Sequence, residues 1–214
     1  MSVARPLILA NLTERLRDDE IHVWALDHRA DSGRHALREV LAAYLAIKPD
    51  QVAFFAGPHG RPRLADGHDQ SLGFNWSHSA DRALIAIGRG ITPGVDLEYL
   101  RPRPRAMELA RRYFCNEEIE SLAALPVADR SDAFLGLWTG KEAVLKALGR
   151  GIAFGLNRLS IDTTCGRLRL LRLEGDDVGA WQLQRLEVDR DVVAALAWRG
   201  GPRRIRMGRL GGVA

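Results

Sequence analysis

The sequence predicts an α+β fold with antiparallel sheet, and two features of its 214 residues indicate this class. Short strand-like segments, β-branched or alternating, are interspersed with segments whose apolar residues recur at helical spacing. Several strand candidates follow one another with only a polar turn between them, which favours antiparallel pairing because parallel strands need a long crossover. The length is sufficient for one domain or for two compact halves.

The first half of the chain is predicted to contain one helix among several strands. Residues 21–27 alternate and predict a strand, and residues 34–47 form an amphipathic helix that ends before Lys48-Pro49. A second strand is expected over 51–57, followed by a turn-rich segment. Residues 74–90 then predict two strands joined by a short polar turn.

The second half begins with a strand and continues with helices before returning to strands. A strand is expected over 94–100, and a helix opened by prolines follows over 101–114. A short helix is expected over 116–125, and a long one spans about 132–148, with Ser131 as its N-cap. The remaining strand candidates alternate with turns, and they lie over 156–163, 166–175, 181–188 and 191–200.

The net charge of +4 and the sequence pI of about 9.5 suit an anionic partner. Nucleic acid, a phosphorylated small molecule and an acidic protein all satisfy this condition. Much of the excess positive charge lies in the tail at 199–212, which we expect to be a flexible, solvated end. The sequence contains no zinc-ligand set, no basic stripe with interleaved aromatics and no recognisable nucleic-acid module, so nucleic acid is the least favoured partner.

The length of the apolar runs, the first 16 residues and the two cysteines predict a cytoplasmic protein without a membrane segment. No apolar run approaches the roughly 18 residues that a membrane-spanning helix needs. The first 16 residues lack the apolar length and the small-residue cleavage site of a signal peptide. Cys115 and Cys165 show no paired ligand spacing, so free thiols are expected.

A weak internal similarity connects the two halves of the chain. Residues 81–90 and 191–200 are both ten-residue strand candidates that open on Asp and close on Arg-Gly. Three identities in ten positions are weak evidence. They are nevertheless what a duplicated half-domain would leave.

Asp96 and Glu98 form the first candidate site. They are two residues apart on a predicted strand, so their side chains leave the same face. Two carboxylates aimed together repel unless a cation or a hydrogen-bonding group lies between them. Oxygen ligands of this kind suit Mg²⁺, which commonly combines one or two carboxylates with phosphate oxygens and water. A solvent-facing strand without a ligand is the alternative, and this pair alone does not exclude it.

The helix at about 132–148 carries the second candidate site. The chain has 28 arginines and only three lysines, and two of these, Lys141 and Lys146, flank Glu142 within six residues. Lys141 falls in the middle of an apolar arc, where an unpaired ammonium is costly. An i,i+4 pair of Glu142 with Lys146 and a snorkelling Lys141 would explain the charges. It would not explain the avoidance of arginine, whereas a compact ammonium beside a phosphate and a metal would.

The opposite side of the same helix is lined by small residues. They are Gly136, Gly140, Ala143 and Ala147. A helix that is apolar on one side and small on the other is expected to be buried on both, with another element close to the small side.

Four further residues are weaker candidates. Ser77 and His78 lie at a strand end, where a hydroxyl and an imidazole can hold a phosphate, although a lone histidine is more often structural. Arg61 lies in a turn, as a solvated cation or a second phosphate contact. Glu118 is by itself an ordinary helix glutamate.

These segments together resemble the 4′-phosphopantetheinyl transferases, specifically the larger type that activates surfactin synthetase. The matching segments occur in family order and span about residues 50–160. They are "GRP" (60–62), "FNWSHS" (74–79), "GVDLE" (94–98), "RYFCNEE" (112–118) and "WTGKEAVLKALGRG" (138–151).

The resemblance implies an activity and a set of site residues. Such enzymes transfer the phosphopantetheine arm of coenzyme A to a serine of an apo acyl or peptidyl carrier protein and release adenosine 3′,5′-bisphosphate. It implies Asp96, Glu98 and Glu142 as Mg²⁺ ligands, Glu142 as the candidate base, and Glu118 as a second acidic candidate. The implied coenzyme A contacts, on phosphates and pyrophosphate, are Arg61, Ser77, His78, Lys141 and Lys146. The family's usual arginine-rich stretch before the first helix is shortened here to "HRADSGRH", where Arg29 is the candidate contact.

The resemblance also implies a fold of two similar α+β halves related by a pseudo-twofold axis, each an antiparallel sheet packed with helices. Residues 1–92 would form the N-terminal half with the coenzyme A phosphate contacts. Residues 93–214 would form the C-terminal half with the metal site and the catalytic helix. We expect a monomer, because both halves lie in one chain. A non-catalytic module that binds coenzyme A or a carrier protein is the alternative function.

Overall fold

Two β-sheets of alternating apolar residues form the centre of the computed structural model, which describes residues 16–28, 34–163 and 166–210. The strands of these sheets are β1 (Glu20–Asp27), β4 (Leu72–Ser79), β5 (Arg82–Arg89), β6 (Gly94–Tyr99), β9 (Trp181–Leu186), β10 (Val192–Arg199) and β11 (Arg204–Leu210). The first sheet has the strand order β11-β1-β5-β4 and the second the order β6-β10-β9. The helices are α1 (His35–Leu45), α2 (Ala106–Tyr113), α3 (Asn116–Ala124) and α4 (Arg130–Leu148). Two further antiparallel pairs join β2 (Phe54–Ala56) to β3 (Pro62–Leu64) and β7 (Leu159–Asp162) to β8 (Arg169–Leu173).

Alternation along the central strands creates three apolar layers. On β1, Trp24 and Leu26 pack with α1, while Ile21 and Val23 belong to a core shared with the second sheet. On β10, Val193 packs with the α4 side and its neighbours on the other face enter the shared core. A strand sends successive side chains to opposite faces, so both sheets bury one face on each other and the other under helices. The α+β class with antiparallel sheet is confirmed.

The two sheets share one strand order. The order β1-β5-β4 in the first sheet matches β6-β10-β9 in the second, and in each the central strand pairs antiparallel with the strand just before it in sequence. The central strands β5 and β10 lie in the two similar segments, 81–90 and 191–200. A pseudo-twofold relation between two halves stays a prediction, and so does the division at residues 92 and 93.

The prediction of a flexible tail was wrong. Arg204–Leu210 form β11, which pairs parallel with β1 along seven residues from Glu20↔Arg204 to Leu26↔Leu210. A strand from the second predicted half therefore completes the sheet of the first. Ser131 is also not the N-cap of the long helix, because α4 begins at Arg130 with Asp129 before it. The Ser131 hydroxyl instead accepts a hydrogen bond from the Arg103 backbone N–H (3.1 Å).

The predicted strand at 51–57 is shorter than expected and spans Phe54–Ala56, and Gln51 belongs to the 3₁₀ turn Pro49–Gln51. Part of the turn-rich segment after it forms β3. No helix among residues 16–28, 34–163 and 166–210 combines the length and apolar character needed to cross a bilayer.

Candidate active site

Close packing of β6 against α4 creates the site. A Cβ on Gly94 would lie well inside van der Waals contact of the Ala143 carbonyl oxygen and the Ala147 backbone nitrogen. Only glycine at the start of β6 therefore lets the backbone of α4 approach this strand. Ala143 and Ala147, on the small side of the helix, face β6, whereas Gly140 of the same side faces Ile161 and Leu168. The approach of α4 to β6 places Glu142 and Lys146 beside Asp96.

Asp96 is held by a lysine and a serine. Its Oδ1 accepts hydrogen bonds from the Lys146 ammonium (2.8 Å) and the Ser77 hydroxyl (2.7 Å). The same ammonium also donates to Ser77 Oγ (2.8 Å) and to the Val95 carbonyl (3.2 Å). Burial raises the pKa of Asp96 against the opposing effect of Lys146. The structure thus brings together three predicted residues, one each from β6, α4 and β4.

Glu98 lies two residues further along the same face of β6 and has its own cationic partner. Its Oε2 accepts from Arg103 Nη2 (2.7 Å) and from the Ser79 hydroxyl (3.2 Å). Ser79 is on the same face of β4 as Ser77, so two serines of one strand meet two carboxylates of the other. The sequence did not indicate Arg103, because nothing distinguishes it from its neighbours in "RPRPR".

Glu142 forms an acidic group with Asp96 and Glu98, and no cation among the described residues forms an ion pair with it. Its side chain is buried, and its Oε1 has no hydrogen-bond partner in the part of the chain that the structure describes. Burial, reinforced by the negative charges of Asp96 and Glu98, raises the pKa of Glu142 to about 7. A buried carboxylate beside two others is unfavourable unless a cation joins them.

The donor set fits a divalent cation that prefers oxygen ligands. The unpaired Oε1 of Glu142 supplies a free ligand, and Asp96 and Glu98 supply two more carboxylates. Within the described ranges, no three acidic, histidine or cysteine side chains already converge tightly enough to hold a metal ion. A metal ion at this position would therefore compete with Lys146 for Asp96 and with Arg103 for Glu98.

His78 and Arg61 occupy other positions than the acidic group. His78 points to the face of β4 opposite Ser77, where its exposed ring stacks on His28 (centroids 4.4 Å apart) and contacts Trp76 (5.2 Å). The Arg61 guanidinium donates to the carbonyls of Phe74 (2.8 Å), Pro93 (2.9 Å) and Lys146. Arg61 thus ties together the first sheet, the loop before β6 and α4.

The structure places Lys141 and Glu118 away from the acidic group, in the core. The Lys141 side chain is 0% exposed, and its ammonium contacts Glu118 Oε2 (2.7 Å) and the carbonyls of Leu156 (2.8 Å) and Leu159 (2.6 Å). Glu118 also accepts from the Ile161 backbone N–H (2.8 Å). An ammonium has three donors, and all three are used here. These contacts give the pair a structural role and leave Lys141 no donor for a phosphate.

Arg29 lies outside the described residues. A cleft of about 620 Å³ adjoins the Arg61 junction and is also lined by Arg63, Trp181 and Arg199. None of the three carboxylates lines this cleft.

Comparison with known proteins identifies one family. Residues 92–197 match the model of the 4′-phosphopantetheinyl transferase superfamily, a range that contains β6, α4 and the three carboxylates. The chain is 39% identical over 171 residues to a protein of Synechocystis sp. whose name assigns it to this class of transferase, covering 77% of this chain and 69% of that one. It is 38% identical over 199 residues to the 4′-phosphopantetheinyl transferase HetI of Nostoc sp. (90% and 82% covered). It is 29% identical over 134 residues to the 4′-phosphopantetheinyl transferase Sfp of Bacillus subtilis (63% and 58% covered).

Proposed function

Because the chain belongs to the 4′-phosphopantetheinyl transferase superfamily, we propose that it transfers the phosphopantetheine arm of coenzyme A to a serine of an apo carrier protein. The second product is adenosine 3′,5′-bisphosphate, and Mg²⁺ is the cofactor. The chain is a transferase enzyme, because relatives that are 39% and 38% identical to it over most of its length are named 4′-phosphopantetheinyl transferases. The match to HetI, which covers 90% of this chain and 82% of HetI, supports the larger, two-half type, and the presence of both sheets in one chain supports a monomer.

The observation that carries this proposal is the acidic group formed by Asp96, Glu98 and Glu142. These residues would hold Mg²⁺, which would neutralise negative charge on the diphosphate of coenzyme A. A module that only binds a ligand has no need of a buried, unpaired carboxylate next to two others. This argues against the alternative of a non-catalytic coenzyme A or carrier-binding protein.

The remaining residues of the group would bind the diphosphate and move the proton. Lys146 is a compact point charge that contacts Ser77 and Asp96, and it would exchange these partners for phosphate oxygens. His78 and Arg61 would contact the phosphates further from the acidic group. The carrier serine must lose its proton to attack phosphorus, and Glu142 is the proposed acceptor because it lies beside Asp96 and its Oε1 has no hydrogen-bond partner among the described residues. Glu118 is engaged with Lys141 in the core, which argues against it as the base.

A direct mass measurement tests the proposal. The protein is mixed with coenzyme A, Mg²⁺ and an apo carrier domain of the fatty-acid, polyketide or nonribosomal-peptide type, and the carrier is weighed. We expect a gain of one phosphopantetheine arm that is abolished by EDTA and by Asp96→Ala. Binding of coenzyme A without a mass gain on any carrier type would instead support the binding-module alternative.

A further inference from the structure

Arg103 lies in direct contact with the acidic group and has no role in the proposed reaction. Its Nη2 is 2.7 Å from Glu98 Oε2, and the two side chains are each 28% exposed. Lys146 forms the matching contact with Asp96. Two of the three carboxylates are therefore neutralised by cations of the chain itself, which leaves at most one net negative charge for a metal ion.

The backbone holds Arg103 in this position from both sides. Its N–H donates to the Ser131 hydroxyl on α4 (3.1 Å), and its carbonyl accepts from the Ala106 N–H at the start of α2 (2.9 Å). Pro102 and Pro104 flank it and restrict the loop further. The contact with Glu98 is thus built into the fold.

The side-chain contact itself is made at a single point. Only one guanidinium nitrogen of Arg103 reaches Glu98, and its buried Nε finds no acceptor among the described residues. A two-point arginine–carboxylate pair is stronger and geometrically more specific than a single hydrogen-bonded contact of this kind. Ser79 would remain on Glu98 if the guanidinium moved.

We propose that Arg103 keeps Glu98 from binding a divalent cation until coenzyme A is present, so that the metal and coenzyme A bind together. A guanidinium next to the site repels the cation directly and occupies one of its ligands. The diphosphate restores the missing negative charge and gives the cation further oxygen ligands. This inference rests on the proposed function and assigns Arg103 the role of a positioning residue that controls metal affinity.

Mn²⁺ titration by calorimetry, with electron paramagnetic resonance as a second readout, tests this role without any turnover. Wild-type protein and Arg103→Gln are titrated with and without coenzyme A, and titrations into coenzyme A alone are subtracted. Without coenzyme A, we expect Arg103→Gln to bind Mn²⁺ at least about tenfold more tightly than wild type, because one nearby positive charge is gone. Arg101→Gln is the matched control, since Arg101 is exposed and makes no side-chain hydrogen bond or ion pair with a described residue. It should bind as wild type does.

The outcomes separate this inference from the proposed function. Equal or weaker Mn²⁺ binding by a folded Arg103→Gln, checked by circular dichroism, overturns the role of Arg103 and leaves the proposed function intact. The wild-type protein gives a test that needs no variant: coenzyme A must tighten Mn²⁺ binding, and Mn²⁺ must tighten coenzyme A binding by the same factor. Absence of this coupling overturns the inference. Absence of any Mn²⁺ binding, with or without coenzyme A, overturns both the inference and the metal-dependent function.

Discussion

Lys141 and Glu142 are neighbours in the sequence, yet one is a core residue and the other belongs to the acidic group. Successive residues of a helix point about 100° apart, so Lys141 meets α3 while Glu142 turns toward β6. The rarity of lysine marked Lys141 and Lys146 together, but composition does not distinguish a buried ion pair from a ligand contact. The packing of α3 and of the loop after α4 decides that question, and neither can be read from residues 138–151 alone.

Glu142→Gln should stabilise the protein in EDTA, and more so at high pH. The pKa of Glu142 rises from 4.5 in the unfolded chain to about 7 in the fold. Between pH 4.5 and pH 7, Glu142 holds a proton in the folded protein that it has lost in the unfolded chain. The stability that the protonated carboxyl provides is therefore complete below pH 4.5 and is lost as pH rises through 7. We expect Glu142→Gln to gain about 2 kcal/mol relative to wild type between pH 5 and pH 8. Urea unfolding at both pH values measures it, and a pH-independent difference would contradict the raised pKa.

Lys146→Arg tests why a lysine is present at this position. The Lys146 ammonium donates to three acceptors, Ser77 Oγ, Asp96 Oδ1 and the Val95 carbonyl. A planar guanidinium presents its donors in a fixed fork and fits this arrangement poorly. We expect the transfer rate to fall by about tenfold or more although the charge is kept. Steady-state kinetics with an apo carrier measures the change, and a near-normal rate would mean that any cation suffices.

At the scale of secondary-structure elements, the close packing of helix α4 against strand β6 depends on one glycine, Gly94. The sequence predicted the small side of α4 but not its partner, because Gly94 is 42 or more residues from Gly136, Gly140 and Ala143. The "GVDLE" segment was a candidate because of its two carboxylates, and nothing in the local sequence indicated a role for its glycine. The role of Gly94 comes from its packing against α4, which is distant in sequence.

Gly94→Ala should therefore damage both stability and activity. The added methyl group would meet backbone atoms of Ala143 and Ala147, which cannot move without shifting the helix. We expect a loss of about 2 kcal/mol or more in the free energy of unfolding, as for other overpacked cores, and a drop in transfer rate as Glu142 moves from Asp96. Gly67→Ala is the control, since a Cβ there has nothing within 4 Å. Equal stability of the two variants, measured by urea unfolding, would show that the approach of α4 to β6 tolerates a side chain.

Strand β11 shows where local signals fail for an element. Residues 204–207, "RIRM", alternate between polar and apolar side chains, but Gly208 and Arg209 break the pattern, and the arginines and flanking glycines indicated a solvated tail. Their partner β1 lies more than 170 residues earlier, and a parallel pair of this kind leaves no turn signal in the sequence. By contrast, β4 and β5 were predicted as two strands joined by a short polar turn, and β9 and β10 were predicted as successive strands.

At the scale of the whole molecule, the two sheets are joined rather than independent. An apolar core of residues from β1, β5, β6, β9 and β10 lies between them, and the Asn75 side chain accepts a hydrogen bond from the Val95 N–H (2.8 Å). Arg61 adds a link from β4 to the loop before β6 and to α4. The acidic group lies where the two sheets meet, because Ser77 and Ser79 of the first sheet donate hydrogen bonds to Asp96 and Glu98 of the second.

This construction predicts how the chain behaves when it is divided at the expected boundary. A fragment of residues 1–92 lacks β11 and exposes the face of its sheet that normally packs on the second sheet, including Ile21, Val23 and Leu84. We expect this fragment alone to show no cooperative unfolding by circular dichroism and a poorly dispersed amide spectrum. Mixing it with residues 93–214, which carry β11 and the other half of the shared core, should restore dispersion and transfer activity. A well-dispersed spectrum and cooperative unfolding of residues 1–92 alone would instead mean that the first half is a self-sufficient domain to which β11 is only an addition.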